Sequence, residues 1–295
     1  MKIENGMKSV VVGIDFSAGS KQALRVAGFL QDSAGLEVTA HHVVDQHGID
    51  ELADALSLDR VELVDELASK GQERIKQWAA ELGFESSPIV SSSFGKPAKE
   101  LISRAEAHDL LIIGERGESH PGQGVGSAAV QCVRKSRGKV LLVNRMEEAD
   151  RFRRIVACLD FSSASAKVVE NAVAIARIYG ATLEFLHVYR APWDRLHYRA
   201  PTAEASPQFR REYLDMLQKQ MDDFLIGAEY GEPETVLHRS SSYGFGIAEH
   251  VRQAKADLVI LGTHGWSSLK ELYLGSTAER LLRELPCSVL TVRTG

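Results

Sequence analysis

Cysteine, proline and aromatic residues are all scarce in this chain. Its three cysteines, Cys132, Cys158 and Cys287, are far apart and odd in number, so they form neither a CxxC motif nor a disulfide framework. Nothing in that usage calls for an oxidising environment, and a reducing cytoplasm is the expected compartment. Long apolar runs are missing as well: no stretch of about 20 apolar residues is available to span a bilayer. The polar start, Met1 to Gly6, lacks the apolar core of a signal peptide. There is no surplus of positive charge either. The formal net charge is −5, so no overall basic field draws the chain to nucleic acid or to an anionic membrane, and neither partner is expected. No GxxxxGK[ST] occurs, which excludes a Walker P-loop. What the chain does have is apolar material for two cores. Hydrophobic residues make up 44% and charged residues 25% of 295 positions, ordinary globular proportions in a length that exceeds a usual single domain.

The sequence repeats itself. An apolar run ends in Asp15-Phe16-Ser17, and a second ends in Asp160-Phe161-Ser162. His42-Val43 follows Asp15 at the separation at which His187-Val188 follows Asp160. His108 to Gly114 matches Ala256 to Gly262, Gly126-Ser127-Ala128 matches Gly275-Ser276-Thr277, and Val140 to Val143 matches Val289 to Val292. Landmarks in the same order mark an internal repeat. The boundary falls in the charged stretch Asn144 to Arg153, giving domains 1–147 and 148–295.

Each copy alternates strand and helix. Short runs rich in Val, Ile and Leu read as strands buried on both faces. Helical patterns cover Ser20 to Leu30 and Ala164 to Ile178, then Leu58 to Leu82 and Gln208 to Ile226. They continue at Ala98 to Ala107 and Ile247 to Ala254, and at Ser127 to Ser136 and Ser276 to Leu285. Ser17 and Ser162 are the expected helix caps. The fold class that follows is α/β: two tandem doubly wound domains, each an open five-stranded parallel sheet flanked by helices. Ligands bind such sheets at the strand C-terminal ends, where the strand order reverses. The final strands, Val140 to Val143 and Val289 to Val292, are apolar edges that invite pairing, so an intramolecular pseudo-dimer of the two domains is expected.

Two segments of the second copy fall at strand ends. The Asp160 carboxylate could accept from an amine or a ribose hydroxyl, or simply open a helix. Gly262-Thr263-His264-Gly265 is followed by nine residues and then by Gly275-Ser276-Thr277 at a helix start. Glycines allow close backbone approach and positive φ. The N–H groups of Gly275, Ser276 and Thr277 would form an anion site favoured by the helix dipole. An ordinary Gly-Ser cap after a long loop is the plainer alternative.

These residues resemble the universal stress protein family, and the likeness covers both halves almost end to end. The family's ATP-binding pattern, G-2x-G-9x-G-[S/T], is met in full by Gly262, Gly265, Gly275 and Ser276. The resemblance implies Asp160 and Val188 at the base and ribose, and Gly262, His264, Gly265, Gly275, Ser276 and Thr277 around the phosphates. It implies ATP, or ADP or AMP, as ligand, with magnesium accompanying the nucleotide. The first copy departs from the pattern. Eight residues separate Gly117 from Gly126-Ser127, and Ala128 replaces the hydroxyl residue. Asp15, Val43, Gly114, Arg116, Gly117, Gly126 and Ser127 would then form a weaker second site, where Arg116 could contact a phosphate and Glu115 and Glu118 would repel one.

Other motifs carry less. Gly122-x-Gly124-x-Gly126 follows the fourth strand and lacks the dinucleotide spacing. His41, His42 and His47 do not make a metal site, because adjacent strand residues face opposite sides. Cys158 reads as a small core residue. No catalytic residue and no metal ligand is assigned. Three functional readings stand: a nucleotide-binding stress or signalling protein working through ligand-dependent conformation or assembly; a slow ATPase or nucleotidyl-transfer enzyme of related fold; and a purely structural dimerisation module, a reading that suits the first copy best. A homodimer of the whole chain is a further assembly to be tested.

Overall fold

The structure, a computed structural model, describes residues 7–117, 125–144, 151–195, 207–228, 230–231, 233–263 and 274–293. The chain divides into two compact units, one built on Met1–Arg151 with Ser288–Thr291, the other on Phe152–Cys287 with Val292–Thr294.

In the first unit the order is β1 (Ser9–Ile14), α1 (Ala18–Ala34), β2 (Glu37–Asp45), α2 (Gln46–Leu56), α3 (Arg60–Glu81) and β3 (Ile89–Gly95). Then come α4 (Pro97–Ala105), β4 (Leu110–Gly114), α5 (Ser127–Lys135) and β5 (Lys139–Val143). The strands run in the order β3-β2-β1-β4-β5, with every one of these pairs parallel. Val10, Val11 and Val12 are wholly buried although successive side chains point to opposite faces, which is why the strand reads as an unbroken apolar run. The order reverses between β1 and β4, so the C-terminal ends of these two strands mark the crevice.

The second unit repeats this arrangement with β6 (Arg154–Cys158), α6 (Ser163–Tyr179), β7 (Thr182–Tyr189), a 3-10 turn at Pro192–Arg195 and α7 (Pro207–Phe224). It continues with β8 (Glu234–Arg239), α8 (Tyr243–Ala254), β9 (Leu258–Gly262), α9 (Ser276–Glu284) and β10 (Ser288–Val292). Its strands β9-β6-β7-β8 are parallel neighbours in that order. Strand β10 pairs antiparallel with β5, Leu290 opposite Leu141, and clusters with the first unit.

Two sequence expectations need correcting. Helix α2 carries no strong start signal and was not expected. It forms because Asp45 accepts from the His47 N–H at 3.2 Å and because Ile49 and Ala53 are buried beneath it. Ser17 caps α1 as expected, accepting from the Ser20 N–H at 3.1 Å. Ser162, in the matching place, makes no cap bond, although its hydroxyl donates to Asp160 Oδ1 at 2.5 Å as that of Ser17 does to Asp15 Oδ1 at 2.6 Å.

Candidate functional site

Both units carry the same corner at the end of their first strand. Phe16 and Phe161 adopt φ of 66° and 59°, a conformation that bulky side chains rarely take and that costs on the order of 1–3 kcal/mol. The turn it makes brings the Asp15 carboxylate back onto Ser17 N–H at 3.1 Å, and Asp160 onto Ser162 N–H at 3.0 Å. A histidine braces each corner. His42 Nδ1–H donates to the Ile14 carbonyl at 2.8 Å while its ring lies 4.7 Å from that of Phe16. His187 Nδ1–H donates to the Leu159 carbonyl at 2.8 Å, its ring stacked 4.4 Å from Phe161. Burial holds the His187 pKa below the ordinary imidazole value, partly opposed by the Leu159 carbonyl and Asp160.

In the second unit this corner opens on a cavity of about 400 Å³, within the size range of small-molecule sites. Asp160, Val188, Gly262, Gly275, Ser276 and Thr277, six of the eight residues expected for the principal site, line it together. His264 and Gly265 lie outside the described residues. Three donors converge on Asp160 Oδ1: the Ser162 N–H, the Ser162 hydroxyl, and the Ser165 hydroxyl at 2.7 Å. Ser165 also accepts from the Asp160 N–H at 2.9 Å. The carboxylate is therefore held in a fixed attitude toward the cavity. Tyr243 and Ile247 of α8 add an apolar wall.

The start of α9 also lines the cavity. Its arrangement differs from the sequence expectation in two respects. Gly275 has φ −60° and ψ 147°, so positive φ is not the reason for glycine there. Close approach is: a Cβ on Gly275 would stand 3.0 Å from the Thr263 carbonyl oxygen. The Gly275 N–H is also committed, donating to that same carbonyl at 2.9 Å. The first-turn N–H groups of Ser276 and Thr277 have no intrahelical acceptor, and they carry the positive end of the helix dipole. The cavity thus presents both a fixed carboxylate and an anion-favouring helix start.

Sequence reasoning missed His187, Phe161 and Ser165. The repeated Asp-Phe-Ser and His-Val landmarks were the signal for the first two; Ser165 carried none. Cys158 is also corrected: half-buried rather than fully internal, it lines the cavity, with its thiol pKa pushed up by burial.

The first unit handles the same parts differently. Gly126 matches Gly275, with φ −61°, ψ 147° and an N–H bond to the Glu115 carbonyl at 2.8 Å. The loop after β4, however, is drawn onto the corner. The Arg116 carbonyl accepts from the Ser17 hydroxyl at 3.2 Å. A Cβ on Gly117 would stand 2.6 Å from Asp15 Oδ2, and one on Gly114 2.5 Å from the Gly19 carbonyl carbon. The Arg116 side chain lies 3.9 Å from Glu115 Oε1. Val43 is buried, and Ser127 opens α5. Among the described residues no group of three or more His, Cys, Asp or Glu is placed to hold a metal, and no helix is long and apolar enough to cross a membrane. His41 and His42 do face apart: His41 bonds the Ser91 and Ser93 hydroxyls at 2.8 and 3.0 Å, away from the Phe16 corner.

These features define a tandem of doubly wound α/β domains with a glycine-loop cavity at the strand ends of the second. The sequence model of the universal stress protein family matches residues 6–144 and again 151–293, and the chain belongs to that family. A universal stress protein of Mycolicibacterium smegmatis is 25% identical over 293 residues, spanning 96% of both chains. One from Bacillus subtilis is 27% identical over 147 residues, covering 48% of this chain and 99% of its own. Among solved structures, a universal stress protein from Archaeoglobus fulgidus shares the fold with a TM-score of 0.68 at 20% identity, over 100% of this chain and 98% of that one.

Proposed function

We propose that the second repeat binds an adenine nucleotide, ATP foremost with ADP or AMP as alternatives, and that the protein acts in stress response or signalling through the resulting change in conformation or assembly. The observation that carries this reading is the single cavity lined by Asp160, Val188, Gly262, Gly275, Ser276 and Thr277. A nucleotide is polar at its sugar and anionic at its phosphates, and the cavity offers both a carboxylate acceptor and a helix N-terminus. His264 and Gly265 belong to the proposed phosphate end, and magnesium would accompany the phosphates. The first repeat, with Asp15, Val43, Gly114, Arg116, Gly117, Gly126 and Ser127, is proposed as the weaker site. A domain boundary between residues 147 and 148, a pseudo-dimer seamed by β5 and β10, and a cytoplasmic location complete the proposal.

Denaturing the purified protein and identifying the released small molecule by mass spectrometry tests the reading, together with calorimetric titration of ATP. Absence of nucleotide in both experiments overturns it. Phosphate release measured alongside separates binding from the slow-ATPase alternative.

A further inference from the structure

A second cavity, of about 360 Å³, lies in the first repeat on the other side of the corner, between α2, α3 and the end of β2. Its walls include Phe16, Val44, Ile49, Leu52 and Leu67, with Lys70 and Arg74 at α3. The second repeat shows what this space is for in the shared architecture. Counted from the corner aspartate, Val44 and Gly48 stand where Tyr189 and Trp193 stand. Counted from the fully buried Ile75 and Met221, Leu67 and Gly71 stand where Tyr213 and Leu217 stand. The same register sets Trp78 against Phe224, and these two rings contact Phe16 and Phe161 at 5.6 and 5.7 Å respectively. In the second repeat the four larger side chains form one packed cluster, with Trp193 5.5 Å from Tyr213 and Tyr189 6.0 Å from it. In the first, each is replaced by something smaller; a Cβ on Gly48 would meet no atom within 4 Å, whereas one on Gly71 would stand 2.9 Å from His42 Cδ2, so the open space lies on the Gly48 side.

The charge changes with the bulk. Met216 and Gln220 of α7 correspond to Lys70 and Arg74 of α3. Lys70 is paired with Glu66. The Arg74 guanidinium lies over the rings of Phe16 and Trp78 at 4.8 and 5.5 Å, and no carboxylate is within ion-pair distance of it among the described residues. Asp45, the one acid of the lining, is engaged as the cap of α2. An apolar space of side-chain size with an arginine at its edge fits a molecule with a hydrocarbon body and one negative charge.

We propose that this cavity is a ligand site for a small apolar carboxylate, its body in the space that Trp193 fills in the second repeat and its head at Arg74, beside Lys70. The site is independent of the nucleotide reading. The test is calorimetric titration of the full chain with indolepropionate and octanoate, and with indolepropionamide as the neutral control. Binding of at least one carboxylate with a Kd below about 1 mM is expected, with the amide at least tenfold weaker. Gly48→Trp should reduce carboxylate affinity at least tenfold and leave ATP titration unchanged. Arg74→Gln, an exposed change to the residue of the second repeat, should do likewise, and decides the matter if Gly48→Trp fails to fold. No carboxylate binding, equal binding of the amide, or full affinity in folded Gly48→Trp or Arg74→Gln overturns the proposal. Because ATP is titrated separately, failure here is distinguishable from failure of the nucleotide reading.

Discussion

At the second repeat's strand ends, Asp160 faces a cavity of about 400 Å³; at the first repeat's, the backbone of Arg116 and Gly117 rests against Ser17, Gly19 and Asp15. Across the corner the relation reverses. There the first repeat holds a cavity between α2 and α3, and the second holds packed Tyr189, Trp193, Tyr213 and Leu217. The corner itself is the same in both, down to the left-handed phenylalanine and the histidine that braces it. Two copies of one architecture can therefore differ in what they leave open between helix and sheet through a few side-chain volumes, with the strand order and the corner's left-handed phenylalanine kept.

The largest expected difference is in packing. Trp193→Ala removes a buried ring, and such changes cost about 3–5 kcal/mol. The low end is expected here, because the Trp193 indole N–H is buried without a partner among the described residues. Gly48→Ala, at the matching position, should stabilise by up to about 1 kcal/mol through helix propensity. Urea unfolding of both variants checks the pair, and a loss at Gly48 would show that its open space is not real.

Next come the glycines of the first repeat's loop. Gly114→Ala drives a methyl into the Gly19 backbone, and overpacking of this kind costs about 1–3 kcal/mol. Gly117→Ala should cost less, since it meets the end of the Asp15 side chain, which can turn away. Thermal unfolding ranks the two; the reverse order would break the description of the closed loop.

Asp160→Ala should weaken ATP binding at least tenfold, corresponding to a lost charged hydrogen bond of about 1.5–3 kcal/mol. Asp15→Ala should leave the tight phase nearly intact. Calorimetry on folded variants decides, and the opposite pattern would move the principal site to the first repeat.

The smallest effect is a slope. Burial, reinforced by Arg104, His42 and His108, lowers the His41 pKa to about 4 from 6.5. Below pH 6.5 the unfolded chain takes up a proton that the native state accepts only near pH 4, so this residue makes stability fall as pH drops through that window. His41→Leu should flatten the acid side of the stability curve measured by urea midpoint between pH 7 and pH 5, once its lower starting stability is subtracted. An unchanged slope would mean that His41 titrates normally in the folded protein.

Much of this was legible in the sequence. Buried parallel strands leave unbroken apolar runs, and a repeat doubles every landmark, so Asp160 could be placed at a strand end and Gly275-Ser276-Thr277 at a helix start from the pattern, while Val188 entered through the family resemblance. The left-handed phenylalanine was not legible, because nothing in an Asp-Phe-Ser string reports φ. Nor was the commitment of the Gly275 N–H to Thr263, which depends on how two loop segments meet. Helix α2 was missed although Ile49, Ala53 and Leu56 recur at helical spacing; it is short and carries a glycine, Gly48, in its first turn. The α2–α3 cavity was invisible until the corner aspartates supplied the register that sets Gly48 against Trp193, and α7 the one that sets Leu67 and Gly71 against Tyr213 and Leu217.

That register also bears on how the chain folds. Proteins with tandem similar units are prone to misassembly in which an element of one copy docks on the other. Here α3 set on β7 would bring Lys70 and Arg74 toward Tyr189, and α7 set on β2 would leave Tyr213 and Leu217 against Val44 without Trp193 to pack on. Either exchange forfeits apolar contacts that only the correct partner restores. The unequal filling of the two faces would disfavour such exchanges, because the volume and charge of each helix match its own strand pair.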